Sequence, residues 1–198
     1  MLDLEGRLSL MEEIKAECLK CKRCPLSQLR TQVVFGEGKV NTELMFVGEA
    51  PGAEEDVQGK PFVGKAGQLL TKILQSVGIS RDEVYITNVV KCRPPNNRNP
   101  TPEEVSMCWP FLEAQIAVIR PKIIVTLGSV STQAILKLKD PITSVRGKWF
   151  EWIGGIRVFP MFHPSFLLRN LSREKGSPRW LTWEDIKEVK RAWQELRR

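Results

Sequence analysis

Apolar residues recur along the chain in two patterns, one typical of buried strands and one typical of amphipathic helices. Four short runs rich in β-branched and apolar residues predict strands, namely "ELMFVG", "EVYITNVV", "KIIVTLGS" and "IRVFPMF". Pro160 lies in the last run, so we expect that strand to lie at a sheet edge or to end irregularly.

The segments between these strands carry apolar residues at helical spacing. In "GKAGQLLTKILQSVG" the apolar positions recur at helical intervals and stop at Gly78. Other helices are predicted over Ser9 to about Lys20, near Pro102 with Thr101 as N-cap, from about Ser129, and over the closing segment with a capping pattern at Thr182 and Asp185. Strands that alternate with helices predict an α/β fold, with helices on both faces of a largely parallel sheet.

Polar residues follow the ends of these strands. The first strand ends at Gly48-Glu49, the second near Asn88, the third at Gly128-Ser129 and the fourth at His163. Because ligands of parallel α/β sheets bind outside the carboxyl ends of the strands, a carboxylate, an amide and the only histidine are expected at one edge. Each of these residues, taken alone, can also be explained by a structural role, as part of a turn or as a histidine of the hydrophobic core.

Composition indicates an ordinary globular protein of 198 residues, with 42% hydrophobic and 27% charged residues. No apolar run has the length of a membrane span, and the acidic, amphipathic N-terminus does not resemble a secretory signal. We therefore expect a cytoplasmic protein with reduced thiols, associated with the nucleoid in a prokaryote. Lys and Arg outnumber Asp and Glu by 30 to 23, and the net charge of +7 favours a polyanionic partner such as nucleic acid.

Three of the five cysteines lie in "CLKCKRCPL" as two overlapping C-x-x-C pairs formed by Cys18, Cys21 and Cys24. A reducing compartment and an odd cysteine count argue against a disulfide framework. The fourth cysteine of a ferredoxin-type run is missing, because Gln28 occupies its place. Further ligands would have to come from distant positions, and four thiolates suit structural zinc as well as an iron–sulfur cluster.

Seven segments occur in one order from about Cys21 to the closing helix: "VVFGEG", "GEAPG", "EED", "G-x-PFVG-x-AG", "VYITNVVKCRPPNNR", "VRGK" and "FHPSFLLRN". Together they resemble the family 4 uracil-DNA glycosylases, the iron–sulfur branch of that superfamily. The resemblance implies one domain over residues 1–198, a three-layer α/β/α sandwich with a central four-stranded parallel sheet. It also implies a DNA repair enzyme that flips uracil out of DNA and hydrolyses its N-glycosidic bond, which leaves an abasic site.

For the cysteines, the resemblance implies a 4Fe–4S cluster held by Cys21, Cys24, Cys92 and Cys108. The cluster would join the N-terminal segment to the loop after the second predicted strand. Cys18 is then additional to the family pattern, so Cys18 with Cys21 stays open as an alternative N-terminal pair.

For the pocket, the resemblance implies that His163 donates to uracil O2 and stabilises the leaving anion. Asn88 would read the uracil edge through its amide, and Phe62 would stack on the ring. Gly48, Glu49 and Ala50 would line the pocket and position the attacking water. Ala50 stands where other branches carry an aspartate, so Glu49 is the nearest carboxylate for this task.

Two further roles are implied for residues near the pocket. Glu55 resembles the residue that obstructs the 5-methyl group of thymine. The segment "SFLLRN" resembles the loop that fills the gap left by a flipped base, with Leu167 or Leu168 as the wedge and Arg169 near the phosphates.

Other functions are weighed against this one. A nucleobase deaminase needs H-x-E with P-C-x-x-C, whereas the only histidine here is followed by Pro164 and Ser165. A non-catalytic iron–sulfur or zinc protein that binds nucleic acid would need the cysteines and basic residues, but no carboxylate, amide and histidine at one sheet edge. As partners we expect uracil-containing DNA, no membrane and a monomeric protein; no convincing sliding-clamp motif is visible at the C-terminus.

Overall fold

A single sheet of six strands organises the computed structural model, which describes residues 3–197. The strands are β1 (Glu37–Gly38), β2 (Leu44–Gly48), β3 (Tyr85–Asn88), β4 (Ile123–Leu127), β5 (Phe150–Trp152) and β6 (Ile156–Met161). Their order across the sheet is β1-β3-β2-β4-β6-β5. The four inner strands are parallel, as predicted, and β1 and β5 each add a short antiparallel strand at an edge.

Helices cover both faces of this sheet. They are α1 (Leu4–Lys20), α2 (Leu26–Leu29), α3 (Ala53–Gln58), α4 (Lys65–Ser76), α5 (Pro102–Ile119), α6 (Ser129–Leu136), α7 (Ile142–Val145), α8 (Pro164–Arg169) and α9 (Pro178–Leu196). Thr101 caps α5 as predicted, since its Oγ1 accepts from the backbone N–H of Glu104 at 3.2 Å. None of the helices in the described part of the chain is both long and apolar enough to cross a membrane.

The strands separate two hydrophobic cores. Met45 and Val47 of β2 belong to the core that includes buried residues of α1, α5 and α6. Leu44 and Phe46, which alternate with them, belong to the core formed with α4 and α9. Every residue of β2 is buried, as expected for a central parallel strand covered on both faces.

Helix α9 begins at Pro178 with Ser177 as its cap, so the predicted capping pattern at Thr182 and Asp185 is wrong. Thr182 donates to the carbonyl of Pro178 at 2.8 Å inside the helix, and Asp185 accepts from Arg146 Nε at 2.8 Å. Thr182 therefore bonds within the helix and Asp185 forms an ion pair with Arg146, so neither side chain caps the start of the helix.

Strand β6 is an interior strand, although it contains Pro160. β5 pairs only with the segment from Ile156 to Val158, so Pro160 lies beyond the end of its antiparallel partner. The missing N–H of proline therefore interrupts no hydrogen bond with β5. The edge expectation therefore holds only locally, at Pro160 itself, and no irregular end is found, because β6 continues in register with β4 as far as Met161.

Candidate active site

A cleft of about 690 Å³ opens at the carboxyl edge of the parallel strands. Gly48 and Asn88 face each other in the pairing of β2 with β3, and His163 follows the end of β6. The sequence-predicted residues that line the cleft are Glu49, Ala50, Glu55, Phe62, Asn88, His163 and Arg169. The predicted convergence of a carboxylate, an amide and the histidine at one sheet edge is therefore confirmed.

Gly48 allows an amide and an aromatic ring to meet at the base of this cleft. A Cβ at this position would lie 2.4 Å from both Asn88 Oδ1 and Phe62 Cζ, so any other residue would displace these side chains. Asn88 is 1% exposed, and its Oδ1 has no hydrogen-bond partner within residues 3–197. Leaving a buried amide oxygen unpaired costs about 1–3 kcal/mol, which indicates a group arranged for a ligand.

His163 is the N-cap of α8, and this position fixes its tautomer. Its Nδ1 accepts from the backbone N–H of Ser165 at 3.1 Å and lies 2.7 Å from Ser165 Oγ. Burial lowers the pKa of His163 to about 4, so the ring is neutral near neutral pH. A neutral ring that accepts at Nδ1 carries its proton on Nε2, where it can donate to a ligand.

Glu49 supplies the carboxylate at the end of β2. The residue is half-buried and lines the cleft next to Ala50. Burial raises the pKa of its carboxyl group above the ordinary value. A carboxylate of raised pKa accepts a proton more readily, which suits a group that orients or activates water.

Glu55 holds two loops of the cleft together through backbone hydrogen bonds. Its Oε2 accepts from the N–H of Gly52 at 3.1 Å, and its Oε1 accepts from the N–H groups of Val63 and Gly64 at 2.8 Å each. The carboxylate therefore ties the segment after β2 to the segment before α4. Exclusion of thymine by Glu55 stays a prediction. The hydrogen bonds of Glu55 also fix the position of two loops, a role that was not predicted from the sequence.

The two candidate wedge residues on α8 differ in exposure. Leu167 is 1% exposed, so of the two alternatives its burial favours Leu168, and the role as a wedge stays a prediction. Leu168 is 37% exposed, and the neighbouring Arg169 is exposed and lines the cleft. A helix places consecutive residues on different faces, which explains why only one of two adjacent leucines reaches the surface.

The five cysteines gather in one region. Cys18, Cys92 and Cys108 are buried in the same core, and Cys21 and Cys24 pack against it. All five are free thiols. The N-terminal segment, the loop after β3 and α5 thus each bring cysteines to this core region. Among residues 3–197, however, no three Cys, His, Asp or Glu side chains are arranged as a metal site.

The surroundings of the three buried thiols, Cys18, Cys92 and Cys108, favour the protonated form. Burial raises the pKa of Cys108 to about 11 and that of Cys18 to about 12. Two donors nevertheless point at sulfur: Arg30 Nη1 lies 3.1 Å from Cys92 Sγ, and the backbone N–H of Lys91 lies 3.3 Å from Cys108 Sγ. Hydrogen bonds of this kind stabilise the thiolates that a metal or cluster would bind.

Comparison with known proteins gives the family of this chain. Residues 35–187 match the uracil DNA glycosylase superfamily. A type-4 uracil-DNA glycosylase of Thermotoga maritima is 52% identical over 93% of this chain and 95% of its own. This chain belongs to the type-4 uracil-DNA glycosylases. Two further proteins of that name, from Sulfurisphaera tokodaii and Archaeoglobus fulgidus, are 48% and 47% identical over 91% and 80% of this chain and 83% of their own.

In this type-4 uracil-DNA glycosylase, two sets of hydrogen bonds that fix the site were not predicted from the sequence, those of Ser165 and those of Glu55. Ser165 lies two residues after His163, the spacing at which a helix N-cap side chain meets a backbone N–H. Glu55 lies three residues after Gly52, the spacing of a capping box. Both signals are visible in the sequence once the helix starts at His163 and Gly52 are known.

Proposed function

We propose that this protein removes uracil from DNA by hydrolysing the N-glycosidic bond, which leaves an abasic site. Membership of the family supports this activity, and the unpaired amide oxygen of buried Asn88 carries the proposal. Uracil offers a donor at N3 and an acceptor at O4, and one primary amide can satisfy both. Cytosine has the opposite pattern at these positions, so an amide held in the orientation that suits uracil would face like groups on cytosine and stay unpaired, which is a basis for rejection.

His163 stabilises the leaving base in this proposal. As the bond between C1′ and N1 breaks, the electron pair moves to uracil, and negative charge develops on O2. The neutral imidazole donates from Nε2 to that oxygen, since its Nδ1 is held by Ser165. A preorganised donor aimed at developing charge contributes about 10²–10³ in rate, and it need not transfer its proton to do so.

Glu49 positions the water that attacks the sugar. The water oxygen bonds to C1′ on the oxocarbenium-like transition state, and its proton passes to the Glu49 carboxylate. Gly48 and Ala50 bring the backbone close to this position without bulky side chains. The raised pKa of Glu49 supports the assignment, because it strengthens the carboxylate as a proton acceptor.

DNA has to deliver the base into the cleft, because the glycosidic bond of a stacked nucleotide is out of reach. Phe62, whose ring lies against Gly48, would stack on the flipped uracil. Leu168 would enter the gap in the duplex and Arg169 would contact phosphate, which agrees with the exposure of both side chains. The net charge of +7 adds general attraction to the polyanion.

We also infer that Cys21, Cys24, Cys92 and Cys108 hold a 4Fe–4S cluster. The chemistry of the donor set supports this inference, because the four thiols come from three segments into one core region and two of them receive N–H donors. When bound, the cluster would cross-link the N-terminal segment to the loop after β3 and to α5. Its contribution is structural, since four cysteine ligands leave no coordination site for substrate.

The decisive experiment measures release of free uracil from an oligonucleotide that contains a single deoxyuridine. We expect release from this substrate and none from the matched thymidine or deoxycytidine oligonucleotide. A non-catalytic nucleic-acid-binding protein would bind all of these oligonucleotides and release no base, and that result would overturn the proposal.

The cluster is tested separately on protein purified without oxygen. We expect iron and acid-labile sulfide with broad visible absorption, lost in Cys92→Ala and Cys108→Ala and retained in Cys18→Ala. Stoichiometric zinc in colourless protein would overturn the iron–sulfur assignment. Loss of the absorption in Cys18→Ala but not in Cys24→Ala would instead show that Cys18 replaces Cys24 as a ligand.

A further inference from the structure

Phe62 has a backbone conformation that residues with a side chain rarely adopt. Its φ is 52°, in the left-handed region that favours glycine. The residue is only 7% exposed, and its ring lies 5.8 Å, centroid to centroid, from the ring of His163. Unusual backbone conformations of this kind persist only where the surroundings hold them, and they are frequent at ligand sites.

Helix α4 holds one side of this turn by close approach. A Cβ at Gly67 would lie 1.9 Å from both the carbonyl carbon and the carbonyl oxygen of Phe62. The helix therefore carries glycine at this position so that the backbone of the turn can rest directly on it.

Arg81 holds the same turn through its carbonyl groups. Nη1 donates to the carbonyl of Phe62 at 3.0 Å, and Nη2 donates to the carbonyl of Pro61. Arg81 belongs to the short helical turn Arg81–Glu83 before β3, and its side chain is only 19% exposed. Within residues 3–197, Arg81 is not among the residues that line the cleft. It contacts the backbone of the turn and not the face of the ring that lines the cleft.

Glu37 on the edge strand β1 orients the guanidinium group. Its Oε1 accepts from Arg81 Nη2 at 2.9 Å and from Nε at 3.2 Å, while Thr71 Oγ1 of α4 lies 3.3 Å from Nη1. A guanidinium group can make these contacts together because its donors form a rigid planar fork, which a lysine ammonium lacks.

The turn is thus held by opposite charges on its two sides. The carbonyls of Pro61 and Phe62 face the cation of Arg81, and the amides of Val63 and Gly64 face the carboxylate of Glu55. The cation thus faces the negative, carbonyl end of the peptide groups, and the carboxylate faces the positive, N–H end. Both sides of the turn are fixed in this way, while the ring lines the cleft.

We propose that Arg81, oriented by Glu37, is a positioning residue that sets the Phe62 ring for stacking on the flipped base. Arg81 contacts neither the base nor the DNA in this arrangement, and its whole effect on catalysis passes through Phe62. The inference rests on the proposed function, since it names a determinant of base binding at the same site.

The test is a double-mutant cycle in single-turnover uracil release with enzyme in excess. We expect Arg81→Ala to slow release by about 10- to 100-fold, because small misplacements of a binding group are costly. In the Phe62→Ala background, the same change should add less than about twofold, since residues that act as one unit are not additive. Additive effects, or a folded Arg81→Ala enzyme at the wild-type rate, would overturn the proposal.

Arg7 offers a matched control for the loss of an arginine that holds backbone carbonyls. Its Nε donates to Val118 at 2.7 Å, and its Nη2 donates to Ile119 at 2.5 Å and to Val40 at 2.8 Å, away from the cleft. Arg7→Ala should lower the unfolding temperature and leave the single-turnover rate of the folded enzyme unchanged. A slowing by Arg7→Ala equal to that of Arg81→Ala would mean general destabilisation and would overturn the assignment.

Glu37→Gln keeps the test available if Arg81→Ala does not fold. This change weakens the orientation of Arg81 but leaves its donors to the turn, so we expect slowing that is smaller and that disappears in the Phe62→Ala background. Additive slowing in that pair would overturn the proposal too. Absence of uracil release by the wild-type protein is a different result, which would overturn the proposed function itself.

Discussion

Two buried amide side chains, Asn88 and Gln115, differ in how their hydrogen bonds are satisfied. Gln115 is 0% exposed and uses both ends of its amide, since Nε2 donates to the carbonyl of Phe35 at 2.9 Å and Oε1 accepts from Lys91 Nζ at 2.6 Å. Asn88 is 1% exposed, and its Oδ1 has no partner among the described residues. Buried polar groups are nearly always paired, so the satisfied amide indicates scaffold and the unsatisfied amide indicates a ligand site.

The two regions are linked at the backbone of Asn88. Lys91 Nζ, which binds Gln115, also donates to the carbonyl oxygen of Asn88 at 2.7 Å and to Thr87 Oγ1 at 2.6 Å. The scaffold network therefore anchors the main chain at the end of β3, while the side chain of Asn88 stays available to the cleft. Changes in the pocket should alter rate or base choice, and changes in the network should alter stability.

The largest effect on rate is expected for His163→Ala. Loss of the Nε2 donor should slow the chemical step by about 10²–10³ in single turnover, while binding of uracil-containing DNA and its salt dependence change little. Alanine also removes the cap of α8, which costs about 1 kcal/mol of stability. His163→Asn is the matched variant, because asparagine can cap the helix yet is too short to reach the base. A folded variant that cleaves near the wild-type rate would contradict the assignment.

The corresponding change in the buried network is Gln115→Leu. We expect this variant to lower the free energy of unfolding by about 2–3 kcal/mol. The buried ammonium group of Lys91 loses one of its acceptors, and the unmet donor accounts for the cost. Urea unfolding measures this loss, and single-turnover uracil release by the folded enzyme should change far less than in the His163 variants. An unchanged stability with a large loss of rate would reverse our assignment of the two amides.

The sequence indicated the fold and the pocket to the extent that they depend on local pattern. The four parallel strands are buried apolar runs, and the rule about their carboxyl ends locates Glu49, Asn88 and His163 together. Strands β1 and β5 were not predicted, because two or three residues are too short to show an alternating pattern.

Contacts between distant segments could not be predicted in this way. The donors of Arg81 reach a turn 19 and 20 residues earlier in the chain, and no spacing rule relates them. The choice between Leu167 and Leu168 depends on the rotation of a helix of six residues, which is too short to show its buried face in the sequence.

A smaller effect, on base choice, is expected for Asn88→Asp. A carboxylate can accept from uracil N3–H or from the cytosine amino group, but it cannot donate to uracil O4. We expect the ratio of uracil to cytosine release rates to fall by about 10- to 100-fold, mostly through slower uracil release. Paired oligonucleotides that differ only in the target base measure this ratio. An unchanged ratio would remove Asn88 from recognition, and the unpaired oxygen would then need another explanation.

The smallest effect concerns the dependence of the single-turnover rate on pH. Burial raises the pKa of Glu49, so its carboxylate is protonated at a higher pH than an exposed glutamate, and the rate should fall as pH falls through that raised value. Burial lowers the pKa of His163 to about 4, so this donor stays neutral above about pH 5.

Glu49→Gln separates the two groups in that experiment. The variant should be slower than wild type, and its rate should no longer fall with decreasing pH above about pH 5, because no carboxylate remains to be protonated at this position. The folded state of both proteins has to be confirmed by circular dichroism at each pH. If Glu49→Gln keeps the acid-side decline of the wild-type rate, Glu49 does not act on the water, and the decline belongs to another group in the cleft.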